Sequence, residues 1–141
     1  MRTDSVNLSE NALGQAGKLI EEKFGKNYLK IRKYKTKAAG AQEAHEAIRP
    51  TYLSTTPESL ASILDPQALK LYTLIWKRTL ASQMEDAIVE VTTFNFSPEH
   101  KSNQEWITKG EVLKFDGFMK LYVESSDDEA EDEESAVLPS I

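Results

Sequence analysis

The sequence predicts an α+β fold, a helical segment followed by a β-hairpin segment. Two observations carry this prediction. Apolar residues recur at three- and four-residue spacings through residues 9–24 and 56–84, as they do on the buried face of a helix. After Met84 the period changes, and residues 87–96 (Ala-Ile-Val-Glu-Val-Thr-Thr-Phe-Asn-Phe) are rich in the β-branched and aromatic types that suit a strand.

Each element has its own signals. Ser9 is placed to cap a helix and Glu10 to complement its dipole. Ala12, Leu13, Ala16, Leu19, Ile20 and Phe24 form the apolar face of that helix, and Gly25 closes it. Gly14 and Gly17 weaken it by roughly 1 kcal/mol each relative to Ala, so packing must hold it. Alternation from Leu29 to Arg32 permits a short strand leading into a basic loop. Residues 38–50 allow a turn or two of helix, ended by Pro50. Thr56-Pro57-Glu58 starts a further helix whose buried stripe is Leu60, Ile63 and Leu64, and Asp65-Pro66 starts another at once. That helix runs from Pro66 to about Met84 with Leu69, Tyr72, Ile75, Trp76 and Leu80 inward. Ala68, Leu71 and Leu74 widen its stripe enough for burial on more than one side. Residues 104–115 alternate loosely, with Gly110 as a bulge or kink, and pair with 87–96 as an antiparallel hairpin. Asp116-Gly117 turns the chain into 118–123, which is open between strand and short helix. Since a lone hairpin is marginal in water, an α segment followed by an unfinished β segment suggests a piece of a larger protein.

The 141 residues carry 17 Lys+Arg and 23 Asp+Glu, for a net charge of −6. Taken whole, that speaks against a nucleic-acid binder. The distribution says otherwise. Residues 1–50 hold 10 basic and 6 acidic side chains, whereas 124–141 hold 8 acidic and no basic ones. The negative total therefore comes from the last stretch, an acidic run unable to bury itself. No apolar run is long enough to span a bilayer, so no membrane partner is expected. The absence of cysteine excludes disulfides and thiolate chemistry, and 2 histidines make a zinc site improbable. By these absences the compartment is expected to be cytoplasmic.

Four groups of residues can carry chemistry. The stretch 26–37 interleaves Lys30, Arg32, Lys33, Lys35 and Lys37 with Tyr28 and Tyr34. Such cations neutralise phosphates and tyrosines stack on unpaired bases, although a solvated charged face is the plainer reading. His45, beside Glu43, Glu46 and Arg49, can serve as a general acid/base or contact phosphate; on spacing alone a packing or capping histidine outweighs both. Glu43 and Glu46 sit three apart, as a metal pair on one helix face would, but two solvated glutamates are the commoner outcome. Arg2-Thr3-Asp4-Ser5 gathers a guanidinium, two hydroxyls and a carboxylate, and arginine suits bidentate phosphate contact, against the ordinary reading of a frayed terminus. None of Tyr28, Tyr34, Tyr52, Tyr72 or Tyr122 has a local activating base.

Three motifs shift those weights. Met1-Arg2-Thr3-Asp4-Ser5-Val6-Asn7-Leu8-Ser9, Ala41-Gln42-Glu43-Ala44-His45-Glu46-Ala47-Ile48-Arg49-Pro50-Thr51, and Leu71-Tyr72-Thr73-Leu74-Ile75-Trp76-Lys77-Arg78 with Ala81-Ser82-Gln83-Met84 together resemble bacterial type IA DNA topoisomerases, the topoisomerase I group. Phe115-Asp116-Gly117-Phe118 and the acidic stretch before Leu138-Pro139 also fit. The resemblance covers the whole chain in order. It implies that 1–85 is a helical segment of the catalytic domain, 86–123 a β segment of the arch domain, and 124–141 an acidic loop and chain end.

In that family the first motif is preceded by a tyrosine, the nucleophile that forms a 5′-phosphotyrosine with cleaved DNA. Here the chain begins at the methionine, so the resemblance implies a fragment that starts just after the nucleophile and is inactive alone. The implied parent is an isomerase that relaxes negatively supercoiled DNA by transient single-strand cleavage in the bacterial cytoplasm, associated with the nucleoid. Its substrate is a single-stranded segment, and its Mg²⁺ ligands lie outside this chain, with no metal site expected within it. By the same resemblance Arg2 and His45 are catalytic. Arg2, Asp4, Ser5, Lys33, Lys35, His45 and Arg49 are the DNA-binding set, Asp4 orienting Arg2 or a neighbour and Arg49 equally an ion-pair partner. The alternative is a stand-alone nucleic-acid-binding module using 26–37 without catalysis. Oligomeric state is not legible.

Overall fold

The computed structural model describes residues 1–34, 45–97 and 105–123. It is α+β, with three α-helices and a two-stranded antiparallel sheet among those residues. They divide into two compact units: Met1–Asp86 with Gly117–Val123, and a second containing Ala87–Asp116.

In the first unit α1 (Glu10–Phe24) starts where the sequence places it. Ser9 is extended, and its hydroxyl accepts a hydrogen bond from the Ala12 N–H. Gly25, at φ +97°, ends the helix, and its N–H reaches back to the Ile20 and Glu21 carbonyls. A 3₁₀ turn at Lys26–Tyr28 follows, and Leu29 forms an isolated bridge with Met84 rather than a full strand. Gly17 lets that segment approach α1, since a Cβ there would lie 3.6 Å from Ile31 and 3.9 Å from Leu29. Of the helix allowed over 38–50, residues 38–44 lie outside the described ones, and 45–50 are not helical.

Two helices follow. α2 (Pro57–Leu60) is a single turn, without the Thr56 side-chain cap bond that the sequence suggested. The expected Leu60–Ile63–Leu64 stripe fails because the helix stops at Leu60, and Ile63 is 73% exposed. α3 (Pro66–Ala81) has Asp65 as its cap, the carboxylate accepting from the Gln67 and Ala68 N–H groups. Among the described residues only one face of α3 is covered. Trp76 and Leu80 are buried four residues apart, while Leu71 and Leu74 are exposed, so the expected burial on more than one side does not occur.

The core joins Ala16 and Ile20 of α1, Leu53, Trp76 and Leu80 of α3, and Met84. Leu53 is pinned from two sides, its carbonyl accepting from Trp76 Nε1 at 2.9 Å and its N–H donating to Gln15 Oε1 at 3.1 Å. The Tyr72 hydroxyl donates to the Thr55 carbonyl at 2.7 Å, and burial raises its pKa. Thus the polar groups of the two large aromatics are satisfied while their rings fill the interior.

The chain leaves this unit at Asp86 and rejoins it at Gly117, where the open question over 118–123 resolves as a 3₁₀ turn, Gly117–Lys120. Phe118 N–H donates to the Glu85 carbonyl at 2.9 Å, and Phe118 and Leu121 pack on the core. Gly117 is at φ +48°, and a Cβ there would stand 2.5 Å from backbone atoms of Glu85 and Asp86. Only glycine fits this closure.

In the second unit β1 (Ile88–Phe96) and β2 (Trp106–Phe115) pair antiparallel from Phe96↔Trp106 to Ile88↔Phe115. Gly110 is not the bulge expected of it. It takes a regular place opposite Thr92, and the irregularity lies between Ile88 and Val89, where Lys114 is the extra residue.

Candidate functional site

Two extended segments 40 residues apart in sequence are stitched together at the start of α1. The Arg2 N–H donates to the Glu46 carbonyl at 2.8 Å, and the Ala47 N–H donates to the Asn7 carbonyl at 2.8 Å. The buried Ser5 hydroxyl donates to the His45 carbonyl at 2.6 Å and accepts from the Asn7 N–H at 3.2 Å. The chain therefore brings Arg2, Asp4, Ser5, His45 and Arg49 into one neighbourhood by backbone contacts that do not occupy the Arg2 or His45 side chains.

The clamp beneath them is Glu46. Its Oε1 accepts from Arg49 Nε at 2.5 Å and from the Ser9 N–H at 2.9 Å, and its Oε2 accepts from Arg49 Nη2 at 3.1 Å. The Arg49 hydrogen bond, reinforced by Ser9, lowers the Glu46 pKa to about 2. Arg49 also donates through Nη1 to the Pro50 and Thr51 carbonyls and through Nη2 to the Ser9 hydroxyl. Its five N–H groups are thus spent within the chain. This arginine is a clamp here, and Glu46 is its counter-ion. Glu43 lies outside the described residues.

Above the clamp the chemistry is open. Arg2 is exposed, and among the described residues no hydrogen bond or ion pair engages its guanidinium. His45 Nδ1 lies 3.6 Å from Asp4 Oδ2, which can hold the ring in one orientation. A guanidinium that no described residue engages and an imidazole next to a carboxylate, on two segments joined by backbone bonds, are groups suited to contacting a phosphodiester.

The basic stretch is committed differently. Lys30 Nζ meets Glu85 at 2.7 Å and Asp86 at 3.0 Å, which raises the lysine pKa and lowers those of both acids. Arg32 meets Asp86 at 2.7 Å and donates to the Met84 carbonyl. Lys33 pairs with Glu10, both well exposed, an arrangement worth little in water and easily exchanged. Lys35 lies outside the described residues. Lys30 and Arg32 are thus neutralised within the chain.

Sequence reasoning missed Gln83. It is fully buried, its Oε1 accepting from the Arg32 N–H at 2.8 Å and its carbonyl from the Lys30 N–H at 3.0 Å. An amide standing between Ser82 and Met84 at the end of an apolar helix face was the available signal. The hydroxyls of Tyr34 and Tyr72 are turned to the Ser82 and Thr55 carbonyls, and that of Tyr122 to Arg78. Among the described residues no three His, Cys, Asp or Glu side chains cluster to hold a metal ion.

Comparison with known proteins fits this arrangement. A DNA topoisomerase family model matches residues 1–141. DNA topoisomerase 1 of Rickettsia conorii is 50% identical over 145 residues, covering 100% of this chain and 18% of that protein. DNA topoisomerase 1 of Campylobacter jejuni is 49% identical over 126 residues, covering 86% of this chain and 17% of that protein. The structure of full-length topoisomerase I from Thermotoga maritima matches with a TM-score of 0.71 at 38% identity, over 96% of this chain and 21% of that one. The chain belongs to the DNA topoisomerase family, in the bacterial type IA topoisomerase I group. It spans about 18% of the length of the first of these relatives.

Proposed function

We propose that, in a protein of its relatives' full length, this region handles the scissile phosphate of a single DNA strand during transient cleavage and resealing. The observation that carries the reading is the exposed Arg2 guanidinium, held by backbone bonds within a residue or two of the Asp4–His45 pair. Arg2 stabilises charge accumulating on the phosphate, as fixed cations do in phosphoryl transfer. His45 contacts the same phosphate or exchanges its proton, Asp4 holds the ring, and Ser5 and Arg49 position the two segments. Lys33 and Lys35 extend the contact to flanking phosphates.

The reaction is two transesterifications. A tyrosine hydroxyl attacks the backbone phosphate and the 3′-hydroxyl leaves; after strand passage that hydroxyl attacks the phosphotyrosine and restores the diester. No energy cofactor is consumed. The attacking tyrosine and the magnesium ligands are assigned to the remainder of such a protein, the first unit (1–86 with 117–123) to its catalytic domain, and 87–116 to its arch domain. Relaxation of negatively supercoiled DNA in the bacterial cytoplasm, at the nucleoid, is the resulting function.

A plasmid assay tests the division of labour. The 141-residue chain should leave supercoiled plasmid unchanged with or without Mg²⁺. Relaxation by the pure chain, with contaminating enzyme excluded, would contradict the assignment of the nucleophile elsewhere.

A further inference from the structure

Beside the stitched segments lies a groove with a cavity volume of about 590 Å³, within the range of small-molecule sites. Val6, Leu8, Ile48, Leu71 and Ile75 form its walls, and Tyr34 and Arg78 are also on its lining. Val6, Ile48 and Leu71 are each more than 40% exposed, an unusual concentration of apolar surface next to a polar site. Among the described residues the lining contains no carboxylate, and its one formal charge is the Arg78 guanidinium, held over the Tyr122 ring. Ser5, which also lines the groove, is the residue that fastens His45. An apolar body attached to an anionic backbone is the ligand such a surface fits.

Resting on the DNA reading above, we propose that this groove receives one unpaired nucleobase of the strand whose backbone meets Arg2. The Tyr34 ring is fixed by its hydroxyl bond to the Ser82 carbonyl at 2.9 Å, which leaves the ring as a preset stacking surface. The groove reads no sequence. The Ser5, Thr79 and Ser82 hydroxyls donate to the His45, Ile75 and Thr79 carbonyls, and Ser5 and Ser82 also accept from the Asn7 N–H and Gln83 Nε2. Among the described residues few polar groups remain to recognise a base edge, so purines and pyrimidines bind alike.

The test is an anisotropy titration of the full 141-residue chain with a labelled thymidine decamer and with an abasic strand of the same length. The chain should prefer the base-bearing strand by about tenfold, the size of one stacked base. The exposed-site double variant Ile48→Gln/Leu71→Gln, shown to be folded by its melting curve, should lose that preference yet bind the abasic strand as before. Equal affinity for both strands, or a preference untouched by the double variant, overturns the base groove while the phosphate reading survives. Failure of both strands to bind removes the DNA reading and this proposal with it.

Discussion

The two arginines near the site have opposite duties, and their surroundings say which is which. Arg49 spends its donors on Glu46, Ser9 and two carbonyls, whereas the Arg2 guanidinium engages none of the described residues. Arg49→Ala should therefore destabilise the chain by about 1–3 kcal/mol, because it strands the Glu46 carboxylate, while Arg2→Ala should leave the melting temperature within error. Thermal melts of the two variants side by side check this. Glu46 adds a pH dependence with a defined sign. Its pKa falls from 4.5 to about 2 on folding, so the clamp's stabilisation is complete above pH 4.5 and lost as pH drops towards 2. Glu46→Gln should melt lower than the parent chain at pH 7 and converge with it near pH 2, as measured by circular dichroism. At this scale the sequence was informative about residue types but not about allocation. Arg2 and Arg49 look alike in a string; only the crossing of residues 2–9 with 45–51 shows which guanidinium is used.

Among the elements, those with strong local chemistry were legible and those decided by distant neighbours were not. Ser9, Gly25 and Asp65 cap helices through bonds within a few residues, and β1 and β2 follow from their β-branched runs. Leu71, Leu74 and Ile63 share the helical period of the core but are exposed, because periodicity reports a face and not what covers it. Gln83 escaped for the same reason: its partners are the Lys30 and Arg32 amides, more than 50 residues away. Gln83→Ala should free the Arg32 amide and speed its hydrogen exchange at least tenfold, with little effect on amides inside α1. Unchanged protection at Arg32 would show that Gln83 does not hold this segment. Gly117→Ala should cost more than 2 kcal/mol, since φ +48° and a 2.5 Å approach to the Glu85–Asp86 backbone leave no room for a methyl group. Urea denaturation measures that loss.

For the whole molecule, the net charge of −6 misdirects because it averages a basic first third with an acidic last stretch. Length misdirects likewise, for 141 residues suit one small domain, yet the chain leaves its helical unit at Asp86 and returns at Gly117. Those two ends are close enough that residues 87–116 can be removed. A chain with Asp86 joined to Gly117 through a two-residue linker should still melt cooperatively, with Trp76 buried. Loss of cooperative melting would show that the first unit depends on the hairpin. The central claim is that the joined segments present a phosphate site built on Arg2, and a salt titration tests it most directly. Affinity of the chain for a single-stranded oligonucleotide should fall linearly on logarithmic axes as salt rises, and Arg2→Ala should weaken binding and reduce the slope by about 0.7. A slope and an affinity unchanged by Arg2→Ala would contradict the account.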